Sequence, residues 1–189
     1  MSTLILATGN PGKVRELREF LTGWDILPKP EGLEIEETGA TFLENARLKA
    51  LTVAQATGHW AVGDDSGLEV FALDGQPGLY SARWGQSDQE RLQKLLLALT
   101  DTQDRRARFI TSMVLASPQE ILVEVEGICD GKILLAPRGT GGFGYDPVFY
   151  YPPLGLTLAE LTIAQKQQVS HRGQALRRLL PTLQTLATL

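Results

Sequence analysis

The chain has 189 residues, which is enough for one substantial hydrophobic core and marginal for two. Its 43% hydrophobic and 21% charged residues are typical of an ordinary globular protein, and no apolar run is long enough to span a membrane. The net charge of −4 argues against non-specific binding to nucleic acid. A single cysteine and the lack of a secretory signal pattern favour a reducing, cytoplasmic location.

The first part of the chain predicts a strand, a tight loop and a helix in close succession. An apolar run over 3–7 predicts a buried strand, and the loop 8–13 follows it directly. Asn10 suits the N-cap of the next helix and Pro11 suits its first position. Alternating residues over 33–37 predict a second strand.

Two short strands are expected on either side of an acidic turn. A capping-box pattern at 41–44 predicts a helix that continues to Gly58. Strands over 60–62 and 68–71 then flank the turn 63–67, whose sequence is Gly-Asp-Asp-Ser-Gly.

The rest of the chain predicts a strand meander followed by helices. Alternation over 106–115 and 120–128, with Pro118-Gln119 between them, predicts an antiparallel hairpin. The remaining predicted elements are a helix over 87–99, short strands near Ile133 and Val148, a helix opened by a capping box at 157–160, and a last helix interrupted near Pro181. This order predicts a single α/β domain over residues 1–189, built around a mixed sheet.

Two loops have the residue types of a nucleotide site. The loop 8–13 precedes a helix N-terminus, whose N–H groups suit a phosphate, and Lys13 places a cation where acids are usually preferred. The loop 139–147 combines four glycines with two aromatic residues and Asp146, and so offers close backbone approach, a stacking face and an anchor. Each loop alone is equally compatible with a plain connector.

The acidic residues suggest a metal. Asp64, Asp65 and Glu37 can supply the one or two carboxylates that Mg²⁺ takes alongside substrate phosphates, although Asp-Asp-Ser-Gly is also common in turns. One cysteine and two scattered histidines argue against a zinc site, and no nucleophile has a recognisable histidine partner. Further donors lie towards the C-terminus, namely Lys166, His171 and Arg172. These residue types favour chemistry with a metal, bound phosphates and an activated water.

Seven motifs occur in one order, at 8–13, 37–39, 41–46, 64–67, 78–83, 139–147 and 170–173. In these motifs, from about Ile5 to Leu180, the chain resembles the inosine triphosphate pyrophosphatase family, also described as dITP/XTP pyrophosphatases. The resemblance implies a central mixed, twisted β-sheet flanked by helices, two lobes around a deep substrate cleft, and a homodimer. It also implies Mg²⁺-dependent hydrolysis of deaminated purine nucleoside triphosphates to the monophosphate and pyrophosphate.

The resemblance also implies a role for each matching residue. Glu37 and Asp65 would bind the metal, and Asp65 would also act as the base that activates water. The residues that would hold the triphosphate are Thr8, Gly9, Asn10, Pro11, Gly12, Lys13 and Lys49, with Ser66 nearby. The residues that would hold the nucleoside are Phe143, which stacks on the base, with Gly144, Tyr145, Asp146 and Lys166, and then His171 and Arg172, which read the base edge.

Three positions depart from the family pattern. Leu156 replaces a common lysine, Ala164-Gln165 replaces an acidic pair, and Gly63 stands where alanine is more usual. None of these removes a proposed site residue. Two alternatives stay open, namely a pyrophosphatase for another modified nucleotide and a non-catalytic nucleotide sensor.

Overall fold

The structure is a computed structural model that describes residues 3–187. Its contacts cluster into two compact units. Of the described residues, the first unit contains 3–65, 111–127 and 172–187, and the second contains 66–110 and 128–171. Within the described range no helix is both long and apolar enough to cross a membrane.

The prediction of an α/β fold with a mixed sheet flanked by helices is confirmed. The strands in residues 3–187 are β1 (Thr3–Leu6), β2 (Asp25–Pro28), β3 (Trp60–Val70), β4 (Arg106–Ala116), β5 (Ile121–Ile133), β6 (Phe149–Tyr151) and β7 (Leu156–Thr157). They form one seven-stranded sheet in the order β2-β1-β3-β4-β5-β6-β7. Strand β1 is parallel to β2 and β3, whereas β6 is antiparallel to β5 and β7. Only four residues join β4 to β5, so these neighbours form the predicted hairpin.

The α-helices in the described range are α1 (Pro11–Phe20), α2 (Phe42–Thr57), α3 (Asp88–Ala98), α4 (Ile163–Val169) and α5 (His171–Leu186). In the first unit they cover both faces of the sheet. Leu4 and Leu6 of β1 pack in one cluster with residues of α1 and α5, while Ile5 packs in another with residues of α2. Successive strand residues point to opposite faces, so this division makes the first unit a helix–sheet–helix sandwich.

The second unit has its own hydrophobic cluster. Leu68 and Val70 of β3 contribute to it, as does Phe149 of β6. Leu95 contributes from the buried side of α3, and Leu99 contributes as the residue that ends this helix.

The predicted strand over 33–37 is wrong, and the edge strand β2 was not predicted. Residues 33–37 have no strand pairing, yet Leu33 and Ile35 pack against the cluster around α2. Their alternation therefore reflects side-chain packing without a backbone ladder. In β2 only Ile26 is buried and the adjacent Leu27 is exposed, so the strand has no alternating pattern to detect.

The predicted turn at 63–67 is also wrong, because β3 runs unbroken through it. A Cβ atom at Gly63 would lie 2.2 Å from the carbonyl oxygen of Ala46. Glycine is present here because α2 approaches the strand closely, not because the chain turns. Asp64 and Asp65 consequently lie in a strand.

Two predicted features of the C-terminal part need correction. Thr157 does not open a helix; it lies in β7, and its N–H donates to the Glu160 carboxylate at 2.7 Å. The capping box that opens α4 is formed by Thr162 and Gln165. Helix α5 is not interrupted at Pro181, which lies inside it.

Candidate active site

The loop 8–13 caps α1 as the sequence predicts. The Asn10 Oδ1 accepts from the N–H groups of Gly12 at 2.9 Å and Lys13 at 3.2 Å, and Pro11 is the first helical residue. Thr8 Oγ1 accepts from the Asn10 N–H at 3.1 Å, which fixes the loop ahead of the helix. A Cβ atom at Gly9 would have no neighbour within 4 Å. The fold itself therefore does not require glycine at this position.

Because β3 is continuous, Asp64 and Asp65 point to opposite faces of the sheet. Asp64 is only 1% exposed, and three side chains donate to its carboxylate. They are the ammonium of Lys13 at 2.5 Å, the hydroxyl of Thr111 at 3.2 Å and the Nε of Arg172 at 3.3 Å. Asp64 is thus the centre of a buried network that joins α1, β3, β4 and α5.

The charges around Asp64 determine its protonation. Burial alone would raise the pKa of this carboxyl group, but the cations Lys13, Arg172 and Lys49 outweigh burial and hold it well below its usual range. The pKa of Lys13 is lowered, since burial and the neighbouring cations prevail over the attraction of Asp64. Asp64 is therefore ionised and a weak proton acceptor.

Asp65 belongs to a separate cluster built by α2. Asn45 and Lys49 are one helical turn apart and share a face of α2. Asn45 Nδ2 donates to Asp65 at 3.1 Å, and the Lys49 ammonium bridges Asp65 at 3.0 Å and Glu37 at 2.8 Å. Burial raises the pKa of Asp65, with Glu37 acting in the same direction and Lys49 opposing it. This arrangement makes Asp65 the better proton acceptor of the aspartate pair.

Glu37 and Asp65 already share one cation, the Lys49 ammonium. No group of three or more Asp, Glu, His or Cys side chains suited to a metal occurs within residues 3–187. Two oxygen-donor carboxylates nevertheless fit Mg²⁺, which keeps several waters and takes further oxygens from substrate phosphates.

Arg172 lies in the first turn of α5 and is only 3% exposed. Its Nη1 donates to Glu16 of α1 at 2.6 Å, in addition to the contact with Asp64. These ion pairs raise the pKa of Arg172 despite its burial. Sequence reasoning missed both Glu16 and Thr111; Glu16 is one turn after Lys13, which is the only local signal.

The predicted nucleoside residues Phe143, Asp146 and Lys166 come together in the second unit. Asp146 Oδ2 accepts from the Phe143 N–H at 2.8 Å and from the Lys166 ammonium at 2.6 Å. The same ammonium lies 4.8 Å from the centroid of the Phe143 ring. Gly142 has a φ of +69°, and a Cβ atom there would lie 2.1 Å from Asp146 Oδ2. Glycine at 142 thus leaves the space that the Asp146 carboxylate occupies.

The other predicted residues of the second unit have different surroundings. The Tyr145 hydroxyl donates to the Ser81 carbonyl at 2.8 Å, so Tyr145 is a buried structural contact. The His171 ring is stacked on Phe109 at a centroid distance of 4.7 Å. Ser66 is half-buried in β3.

The predicted site residues therefore form two polar clusters in the first unit, around Asp64 and Asp65, and one in the second, around Asp146. The sequence model of the Ham1 family matches residues 4–182. The chain is 58% identical over 182 residues to the dITP/XTP pyrophosphatase of Gloeobacter violaceus, covering 95% of this chain and 93% of that one. The corresponding protein of a Nostoc species is 54% identical over 183 residues, with coverage of 95% and 93%.

Solved structures of Ham1 proteins have a similar fold. A HAM1 protein from Coxiella burnetii has a TM-score of 0.87 and 42% identity, with 98% of this chain and 100% of that chain covered. The Staphylococcus aureus Ham1 protein has a TM-score of 0.86 and 39% identity, with coverage of 97% and 99%. This chain belongs to the Ham1 family, which confirms the resemblance predicted from its motifs.

Proposed function

We propose that this protein hydrolyses deaminated purine nucleoside triphosphates, namely ITP, dITP and XTP, to the monophosphate and pyrophosphate. The observation that carries the proposal is the pairing of a capped phosphate-type loop with two carboxylates that share the Lys49 ammonium. The names of the curated relatives, dITP/XTP pyrophosphatases, support the same substrate class.

The loop 8–13 and Lys13 bind the triphosphate. The positive end of α1 favours an anion, and the open space beside Gly9 lets a phosphate oxygen approach the backbone. The Lys13 ammonium has three N–H donors, of which Asp64 accepts one. Lys13 therefore stabilises the charge of the departing pyrophosphate without leaving Asp64, and Lys49 adds a second cation.

Glu37 and Asp65 would hold a divalent cation, for which Mg²⁺ is the best fit to two carboxylates and phosphate oxygens. When bound, the cation neutralises phosphate charge and makes a water more acidic. Asp65 accepts the proton of the water that attacks the α-phosphorus. Its raised pKa suits this role, and Asn45 and Lys49 hold its two oxygens in place. Ser66, the next residue of β3, shares the strand face of Asp64 and contacts the substrate nearby.

Base selection belongs to the predicted nucleoside residues. Phe143 stacks on the base, Asp146 and Lys166 place the nucleoside, and His171 and Arg172 read the base edge. A guanidinium only donates hydrogen bonds, so Arg172 fits the 6-keto oxygen of hypoxanthine or xanthine and not the 6-amino group of adenine. A mismatch of buried polar groups can be worth on the order of 10⁴-fold in selectivity. Guanine shares the 6-keto edge, so its rejection requires a penalty on its 2-amino group.

The direct test is a pyrophosphate-release assay with Mg²⁺ on ITP, XTP, ATP and GTP. Rapid release from ITP and XTP alone is expected. Orthophosphate as the only initial product would contradict attack at the α-phosphorus, and preference for a modified pyrimidine triphosphate would favour the alternative pyrophosphatase. Absence of turnover with tight ITP binding would favour a nucleotide sensor.

Two variants separate phosphate recognition from base recognition. Lys13→Ala should lower kcat/KM for every triphosphate by a similar factor, because phosphates carry no base identity. Arg172→Ala should lower the ratio of kcat/KM for ITP over ATP. The loss should correspond to about 1–3 kcal/mol of transition-state stabilisation, the range of one hydrogen bond to a charged group. An equal loss for ITP and ATP in Arg172→Ala would assign Arg172 to the phosphates.

The proposal extends to a cytoplasmic homodimer. Support comes from the reducing location favoured by the lone cysteine and from the family resemblance, and the measurement is light scattering of the purified protein. A monomeric mass at micromolar concentration would contradict the dimer.

A further inference from the structure

The loop 139–147 is attached to the start of α3 by a residue outside every motif of the site. Asp88 is the first residue of α3, and its two carboxylate oxygens have different partners. Oδ1 accepts from Arg91 Nη1 at 2.6 Å, whereas Oδ2 accepts from the backbone N–H of Gly144 at 2.8 Å. Gly144 directly follows Phe143, the proposed stacking residue.

Helix α3 does not need Asp88 to satisfy its first turn. Ser87 caps the helix by accepting from the Glu90 N–H at 3.1 Å. The Glu90 carboxylate accepts in turn from the Gln86 N–H at 2.8 Å. Because these contacts already close the start of α3, the second oxygen of Asp88 is committed to the loop.

Besides the contact with Asp88, the Phe143–Gly144 peptide is held through the Phe143 carbonyl oxygen, which accepts from the Asp146 N–H at 3.2 Å. Gly144 has a φ of +61°, and no atom lies within 4 Å of the place its Cβ would take. No side-chain packing therefore fixes the backbone at this residue, and a glycine has wide conformational freedom. The preceding amide, of Phe143, is held by Asp146. Two consecutive N–H groups are thus each fixed by a carboxylate, one inside the loop and one from α3.

We infer that Asp88 is a positioning residue for base recognition, which holds the Phe143–Gly144 backbone so that the Phe143 ring presents a fixed face to the purine. The inference rests on the proposed function for its kinetic consequence. Arg91 supports the role by holding the other oxygen of the same carboxylate, so that the Asp88 side chain adopts one orientation.

The test compares Asp88→Ala with Glu90→Ala. Both replace an acid in the first turn of α3, so both remove the same charge from the positive end of the helix. Only Asp88→Ala removes the contact with Gly144. We expect Asp88→Ala to raise KM for ITP by about 3- to 10-fold, the range of one hydrogen bond of modest strength, with little change in kcat. Glu90→Ala should leave KM near the wild-type value, and Asp88→Asn, which keeps an acceptor oxygen, should recover most of the loss.

A second readout does not depend on turnover. Hydrogen exchange of the Gly144 amide, followed by NMR, should be several-fold faster in Asp88→Ala and unchanged in Glu90→Ala. Equal KM values in the two variants, or unchanged exchange at Gly144, would overturn the inference. If the wild-type protein fails to hydrolyse ITP, the proposed function is wrong. The exchange measurement then tests whether Asp88 holds the Gly144 amide. Calorimetry of ITP binding to the wild type and to Asp88→Ala then tests whether this contact affects base recognition.

Discussion

Asp64 and Asp65 are adjacent in β3, yet their replacement by asparagine should affect different properties of the protein. Asp64→Asn removes the negative charge that faces Lys13 and Arg172 in a buried network. Asp65→Asn removes one carboxylate from Lys49, but Glu37 continues to pair with that ammonium. The first change should therefore act on stability, and the second on turnover.

The expected magnitudes follow from burial. Removing one partner of a buried ion pair costs about 3–5 kcal/mol, because the remaining charge is left without compensation. For a chain of this size each kcal/mol lowers Tm by about 2–4 °C, so Asp64→Asn should lower Tm by about 6–20 °C. Asp65→Asn should change Tm by less than about 5 °C on the same scale, since Lys49 keeps a partner. Loss of a general base should lower its kcat by about 10²–10⁴-fold.

Thermal unfolding followed by circular dichroism measures the first effect, and pyrophosphate release at a temperature where both variants are folded measures the second. The reasoning is refuted if Asp65→Asn is the less stable variant, or if Asp64→Asn has the Tm of the wild type. Near-normal turnover of well-folded Asp65→Asn would assign the base to another residue.

Three further outcomes are expected. Gly142→Ala should reduce activity far more than Gly144→Ala. Both glycines have a positive φ, but only the first would place a Cβ atom against the Asp146 carboxylate. The measurement is kcat/KM for ITP, and equal losses in the two variants would contradict the steric argument. The low pKa of Asp64 stabilises the fold at pH values above the ordinary carboxyl range, and this contribution is lost as the pH falls below about 4. The free energy of urea unfolding of Asp64→Asn should therefore depend less on pH in the acid range than that of the wild type. Parallel plots of this free energy against pH for the two proteins would contradict the prediction. Burial raises the pKa of the Cys129 thiol to about 12, so iodoacetamide at pH 8 should label it only after unfolding, and rapid native labelling would exclude this environment.

Local chemistry allowed much of the fold to be predicted, and long-range packing explains the errors. Asn10 and Thr41 were predicted as helix starts because their side chains accept from nearby N–H groups, and both do so. Gly63 has the local appearance of a turn residue, and only its distance to α2 shows that it permits close packing. The predicted two-lobed substrate cleft stays a prediction.

The site shows the same division. Glu37, Lys49 and Asp65 were predicted as members of a family site, and in the structure Lys49 contacts both carboxylates. The partners of Arg172 could not be predicted, because Glu16 is separated from it by 156 positions and Asp64 by 108. No periodicity or turn signal encodes such pairs, which depend on how strands and helices pack.

Lys13 shows how the structure changes the meaning of a sequence signal. A cation at the positive end of a helix is unfavourable, and the sequence therefore suggested that an external anion lies nearby. The structure supplies an internal anion, since the Asp64 carboxylate contacts the Lys13 ammonium at 2.5 Å. The unfavourable position of the Lys13 cation at the N-terminus of α1 is thus compensated by the Asp64 carboxylate without any bound ligand. Because Asp64 is itself held by Thr111 and Arg172, it fixes the Lys13 ammonium in place. Under the proposed function, the triphosphate therefore meets a cation that needs little reorganisation to bind it.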